Sequence, residues 1–312
     1  MSSLPKRTYT GAFEGARALG RLLSPADLKW NIELPLHGRE IPLILHISCN
    51  AHATLFVVDI ARKVLEKLGL DFIIMGGLES CCGSIHKNLG DGDLQEEVAT
   101  KALLGFRRAK PRTVLSVCPD CDDVFSLYPL KSQGFRHSNI SELFVEHLDA
   151  LKPHMRPVNR KVIFHGHDVS PARVRDRNNA LAVLNAIPGL EILPAKKSAG
   201  PGIHCQTVHP MPPADQAAMF EEAKALGADA LVVPYHSCYR QHVKMQLKYG
   251  VETHHFFSLL AISLGIEFEE PFKQLRLLDD VDAMMESLKP RISAAGYDPD
   301  TVRPYLQRAI FC

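Results

Sequence analysis

The chain has 312 residues, 46% of them hydrophobic, enough to bury a sizeable core in one large domain or two of ordinary size. Its 36 basic and 35 acidic side chains leave a formal charge of +1, which offers no general field to nucleic acid or to an anionic membrane. Eight cysteines are too sparse for a secreted disulfide scaffold, and their clustering points to metal or redox chemistry in a reducing compartment, with the cytoplasm as the expectation.

Residues 1–38 read as an N-terminal extension; they carry several Arg and Lys but lack the apolar core of a signal peptide. From Pro42, PLILHIS reads as a buried strand, TLFVVDIARKVLEKLG as an amphipathic helix and DFIIMGG as a second strand. The loop LESCCGSIHKN follows, then helical spacing in LQEEVATKALLGFRRAK, a β-branched strand TVLSV and a helix ELFVEHLDAL. Past the polar joint at 151–160, the order restarts with KVIFHG, NNALAVLNAI, LEILPAK, AAMFEEAKALG and ALVVPY. TVLSVCPDCDDVFSLYPL matches ALVVPYHSCYRQHVKMQL at a shift of 117 residues, which carries Cys121 onto Cys238, and the strands at Ile73 and Leu190 obey the same shift.

Strand and helix in alternation imply parallel sheets covered by helices. The expected fold is α/β, with two tandem Rossmann-like units related by internal duplication at 39–156 and 157–275, and a helical tail at 276–312. Apolar residues from Phe256 to Ile266 fall short of the roughly 20 that a membrane span needs, and His254 and His255 are expected to lie in a helix. No GxGxxG, GxxxxGK[ST], HExxH or GxSxG occurs, so any flavin or nicotinamide would come from a partner.

Cys49, Cys81, Cys82, Cys118 and Cys121 all follow predicted strands or sit in the loops after them, where ligands of open α/β sheets bind. Neighbouring thiols such as Cys81 and Cys82 rarely bridge each other, because disulfide geometry wants well-separated α-carbons. Thiolates suit iron-sulfur clusters, zinc or copper(I). Zinc and an ordinary cubane cluster each take four ligands, so five thiols imply either more metal-sulfur bonds or one spare reactive thiol.

The pattern Cys49, then Cys81-Cys82-Gly83, then Cys118-Pro-Asp-Cys121 resembles the CCG cysteine-rich domain of heterodisulfide reductase B-like proteins, over about Leu43 to Leu264. The resemblance implies an oxidoreductase acting on sulfur groups, with a noncubane [4Fe-4S] cluster held by those five cysteines and Cys81 and Cys82 at its reactive centre. Vicinal thiolates would then span neighbouring irons. It also implies partners: a ferredoxin-like C-type protein, an A-type flavoprotein, and a thiol, disulfide or lipoyl-type sulfur carrier. Some CCG domains bind zinc, so the alternative is a zinc-bearing or electron-transfer module that scaffolds a 2-hydroxy acid or quinone-linked oxidoreductase.

The second copy is worn. HGHDVSPAR puts Ser170 at the expected first cysteine, GIHCQTV offers His204 and Cys205 in place of CCG, and YHSC puts Tyr235 before the surviving Cys238. Two cysteines cannot hold a five-thiol cluster. Cys205, Cys238, His204 and His236, with His165, His167 and His209 nearby, make a second candidate site for zinc or a small iron-sulfur centre. A chain with one intact motif resembles most the B-type subunits of the sulfur-oxidising heterodisulfide reductase-like complex.

Overall fold

The computed structural model describes residues 18–25, 27–29, 41–49, 51–77, 80–127, 134–198, 205, 210–307 and 310. Its first sheet joins β1 (Leu43–Ile47), β2 (Phe72–Gly76), β3 (Thr113–Ser116) and β4 (Arg136–Asn139), all parallel, in the order β2-β1-β3-β4. A second sheet repeats the plan with β5 (Arg160–Phe164), β6 (Leu190–Ile192), β7 (Ala230–Val233) and β8 (Glu252–His255) in the order β6-β5-β7-β8. The α/β duplication read from the sequence is therefore the architecture.

Helices α1 (Leu55–Lys67), α2 (Ser84–Asn88), α3 (Gly92–Arg108) and α4 (Pro119–Phe125) connect the strands of the first unit, and α5 (Ile140–Glu146) follows its last strand. The second unit has α6 (Pro171–Asn185), α7 (Pro213–Ala225), α8 (His236–His242) and α9 (Phe256–Leu264), followed by α10 (Pro271–Leu278), α11 (Val281–Ala295) and α12 (Pro299–Leu306). Strand β1 shows why both faces need helices. Ile44 joins a core with Met75, Phe106 and Val114, whereas Leu45 and Ile47 enter a different one, as side chains alternate along a strand.

That second core crosses both units. Leu45, Phe56 and Phe144 belong to it together with Val162, Phe257 and Leu260. The Phe56 ring lies 5.0 Å from Tyr239 and the Phe144 ring 5.0 Å from Phe257, so aromatic contacts fix how the two sheets sit. Charged groups add a second tie. Arg173 on α6 pairs with Asp120 and, at 3.1 Å, with Asp123 on α4; Arg175 reaches Asp122 at 2.7 Å.

Two local expectations need correction, and two strands escaped the sequence reading. His254 and His255 end strand β8 instead of lying in a helix, and His255 Nδ1 accepts the Phe257 N–H at 3.2 Å, capping α9. The edge strands β4 (RHSN) and β8 (ETHH) escape a hydrophobic pattern because polar side chains occupy them. Nor is the 117-residue shift uniform. It relates β3 to β7, but the register opposes Leu43 to Phe72 and Thr113, and Val162 to Ile192 and Ala230. Ile192 thus stands where Phe72 does, and the β1-to-β5 shift is 119. Among the described residues no helix is long and apolar enough to cross a membrane; α9 is buried between the units.

Candidate metal centre

All five cysteines of the first unit meet at the carboxyl edge of its sheet. Cys49 follows β1, Cys81 and Cys82 follow β2, and Cys118 and Cys121 bracket the start of α4 after β3. Cys118 occupies the N-cap in an extended conformation, with Pro119 at the first helical position, where a missing N–H costs nothing. Gly83 turns the chain after the cysteine pair at φ +75°, and a Cβ there would sit 2.7 Å from the Gln95 carbonyl oxygen of α3. Only glycine permits that turn at that closeness.

The thiols form a connected string. Cys49 Sγ lies 3.2 Å from Cys81 Sγ; Cys81 contacts Cys82, Cys82 contacts Cys121, and Cys121 contacts Cys118. Four of the five are buried and Cys49 is half-buried, so the string opens outward at Cys49. Cys81 is held as a thiolate, its pKa lowered to about 3 by the hydrogen bond from Cys49, then by Cys82, the Gly83 N–H at 3.3 Å and the nearby His86. Cys49 is pushed up because its thiol bonds to Cys81, and Cys121 because its thiol bonds to Cys118 and Cys82. A hydrogen bond from Cys121 favours the Cys82 thiolate, but the Cys81 charge and burial outweigh it and push that thiol up. Crowded thiols oppose one another's ionisation, as the raised Cys49, Cys82 and Cys121 show; a cation or cluster is needed to ionise them together. Soft donors so joined fit an iron-sulfur cluster.

Behind the thiols runs a buried polar network that sequence reasoning missed. His46 Nε2–H donates to the Ser80 carbonyl at 2.7 Å, so its Nδ1 accepts from Ser116 Oγ at 3.0 Å. Ser116 Oγ accepts from His137 Nε2 at 2.8 Å, and His137 Nδ1 lies 3.2 Å from Asp122, the neighbour of Cys121. Burial, and then the charge of His137, lower the His46 pKa to about 4. The available signal was a histidine inside the apolar run LILHI.

In the second unit, Cys205 and Cys238 do converge. Their partners are His165 and His167, and one ligand atom from each of the four residues lies within 4.8 Å of all the others, every residue buried. His236 stands outside this group, its Nδ1 buried without a hydrogen-bond partner, and His204, His209 and Cys312 lie outside the described residues. The strand register explains the substitution. His165 and His167 occupy the places of His46 and Ser48, while Asp168, not Ser170, stands where Cys49 does. Ser170 instead caps α6, accepting the Arg173 N–H and donating to Asp123. His242 was also missed; its Nε2 lies 3.4 Å from Cys205 Sγ, and its spacing of four from Cys238 on α8 was the clue.

Residues 43–126 match the family model described as "Cysteine-rich domain", CCG. Over 148 residues the chain is 28% identical to the B-type subunit of the fumarate reductase (CoM/CoB) of Methanothermobacter marburgensis, covering 43% of this chain and 27% of that protein. Over 147 residues it is 23% identical to the probable iron-sulfur-binding oxidoreductase FadF of Bacillus subtilis, covering 46% of this chain and 21% of that one. The match thus spans about a quarter of these relatives. Among solved structures, a putative Asp/Glu racemase from Yersinia pestis overlaps 71% of this chain and 96% of its own at 10% identity and a TM-score of 0.37. An aspartate racemase homologue from Pyrococcus horikoshii overlaps 72% and 97% at 11% identity and 0.34. The five-thiol edge thus lies within residues 43–126, the segment that matches the CCG cysteine-rich domain model, in keeping with the resemblance to heterodisulfide reductase B-like proteins.

Proposed function

We propose that the protein is an iron-sulfur component of a heterodisulfide reductase-like oxidoreductase, in which Cys49, Cys81, Cys82, Cys118 and Cys121 hold one noncubane [4Fe-4S] cluster. The observation that carries this reading is the string of five thiols drawn from three strand ends, one more than a tetrahedral metal or a cubane uses. When bound, the cluster supplies one-electron steps and an iron that can take a substrate sulfur, the net change being a disulfide plus two electrons and two protons giving two thiols, or the reverse.

The chain's own contribution is positioning. Gly83 aims the vicinal pair and donates its N–H to Cys81 Sγ, which disperses charge on that sulfur. The His46–Ser116–His137–Asp122 network ties β1, β3 and β4 to α4 and so holds Cys118 and Cys121 in register with Cys49. Half-buried Cys49 supports an approach of the sulfur substrate from that side. Electrons pass to or from a ferredoxin-like protein and a flavoprotein, since this chain carries no nucleotide-binding motif. The B-type subunits of sulfur-oxidising complexes fit best, with a cytoplasmic thiol, persulfide or lipoyl-bearing carrier as substrate.

The test is the metal content of anaerobically purified protein. Brown protein with about four irons and matching sulfide per chain is expected, together with loss of that iron in Cys82→Ser. Colourless protein whose first unit binds a single zinc would overturn the reading in favour of a scaffolding module.

A further inference from the structure

The degenerate unit keeps four inward-facing donors of a different kind, and their arrangement is that of a closed mononuclear centre. We propose that His165, His167, Cys205 and Cys238 bind one structural zinc ion in a tetrahedral N2S2 site. Zinc with its usual bond lengths spaces four ligand atoms about 3.3–3.8 Å apart. Here His165 Nε2 lies 3.2 Å from Cys205 Sγ and His167 Nε2 3.0 Å from Cys238 Sγ, and all four donors fall within 4.8 Å of one another. A two-iron cluster would separate one ligand pair from the other by the iron–iron distance as well, which so compact a group does not accommodate. Four protein ligands, all buried, leave no position for substrate, so the ion is structural.

The surrounding hydrogen bonds sort ligands from supporters. His165 Nδ1 faces the Ser198 carbonyl at 2.7 Å, and a carbonyl only accepts, so Nδ1 carries the proton and the Nε2 lone pair faces the thiols. His242 is set the opposite way. Gln216 Nε2 donates to the Gln241 carbonyl at 2.8 Å and to His242 Nδ1 at 2.9 Å, which leaves the proton on His242 Nε2, 3.4 Å from Cys205 Sγ. His242 therefore donates to a ligand sulfur and does not bind the metal. The site joins the loops after β5 and β6 to helix α8, and the His167 ring stacks on Tyr235 at 5.6 Å. Arg173, which reaches α4 of the first unit, lies over the same Tyr235 ring at 5.1 Å.

Full-length protein produced anaerobically with zinc and iron both supplied should retain about one zinc per chain beside its iron after dialysis against a weak chelator. Cobalt(II) supplied in place of zinc should give the intense visible bands of a tetrahedral thiolate site. Cys82→Ser should lose iron and keep zinc, whereas Cys238→Ser should lose zinc, and Gln216→Ala should weaken zinc retention about 10- to 100-fold through His242. Wild-type protein without zinc or tetrahedral cobalt would overturn the proposal, whatever the variants do, as would zinc retained in Cys205→Ala/Cys238→Ala or found only at the first unit's cysteines. The iron count is read separately, so failure of the zinc site leaves the cluster reading standing, and the converse holds.

Discussion

Replacing Gly83 with alanine tests why the cysteine pair is followed by glycine. The residue sits at φ +75°, where an L side chain costs about 1–2 kcal/mol. Its new Cβ would also lie 2.7 Å from the Gln95 carbonyl oxygen and 2.9 Å from the Gln95 Cα, atoms of the α3 backbone that cannot swing aside. Overpacking of that kind adds about 1–3 kcal/mol, so Gly83→Ala is expected to destabilise by about 2–5 kcal/mol in total. Gly90 supplies the control. It has φ +91° but nothing within 4 Å of a built Cβ, so Gly90→Ala should cost only the conformational share, about 1–2 kcal/mol. Urea denaturation followed by circular dichroism gives both values, and iron content after anaerobic purification should fall in Gly83→Ala alone, because the Gly83 turn aims Cys81 and Cys82. Equal costs for the two variants would refute the close-approach argument.

Asp176 gives a pH prediction with a definite sign. Burial, and then the charge of Asp122, raise its pKa to about 8, and its Oδ2 has no hydrogen-bond partner. The unfolded chain ionises this group near its ordinary value of 3.8 while the folded one keeps its proton, so stability is lost as pH rises from about 4 to about 8. Asp176→Asn should match wild type in thermal melts near pH 4 and exceed it by a few kcal/mol near pH 8; an advantage that does not grow with pH would count against the assignment. Arg173→Ala should cost about 2–4 kcal/mol in the same denaturation assay, since it strands Asp120 and Asp123 and uncovers Tyr235. Arg173→Lys should recover less than half of that, because an ammonium cannot serve both carboxylates as a guanidinium fork does; full recovery would show that charge alone matters.

Much of this protein is legible in its sequence for a local reason. Strand–helix alternation follows hydrophobic periodicity, and cysteines placed just after strands must emerge at the carboxyl edge of a parallel sheet, so the fold class and the five-thiol edge need no tertiary information. The edge strands RHSN and ETHH were not legible, because what buries Ser138, Asn139 and His255 is the neighbouring strand and helix, not their own apolarity.

Only the tertiary structure decided which histidines face Cys205 and Cys238. Fifteen histidines are spread along the chain, and a shift of 117 read from β3 and β7 misplaces the loop after β5 by two residues. Sheet register sets His165 and His167 inward, and the carbonyl of Ser198 fixes which ring nitrogen of His165 is free. Loop lengths between duplicated strands drift without cost to the sheet, so sequence spacing fixes a ligand only where the loop before it has kept its length.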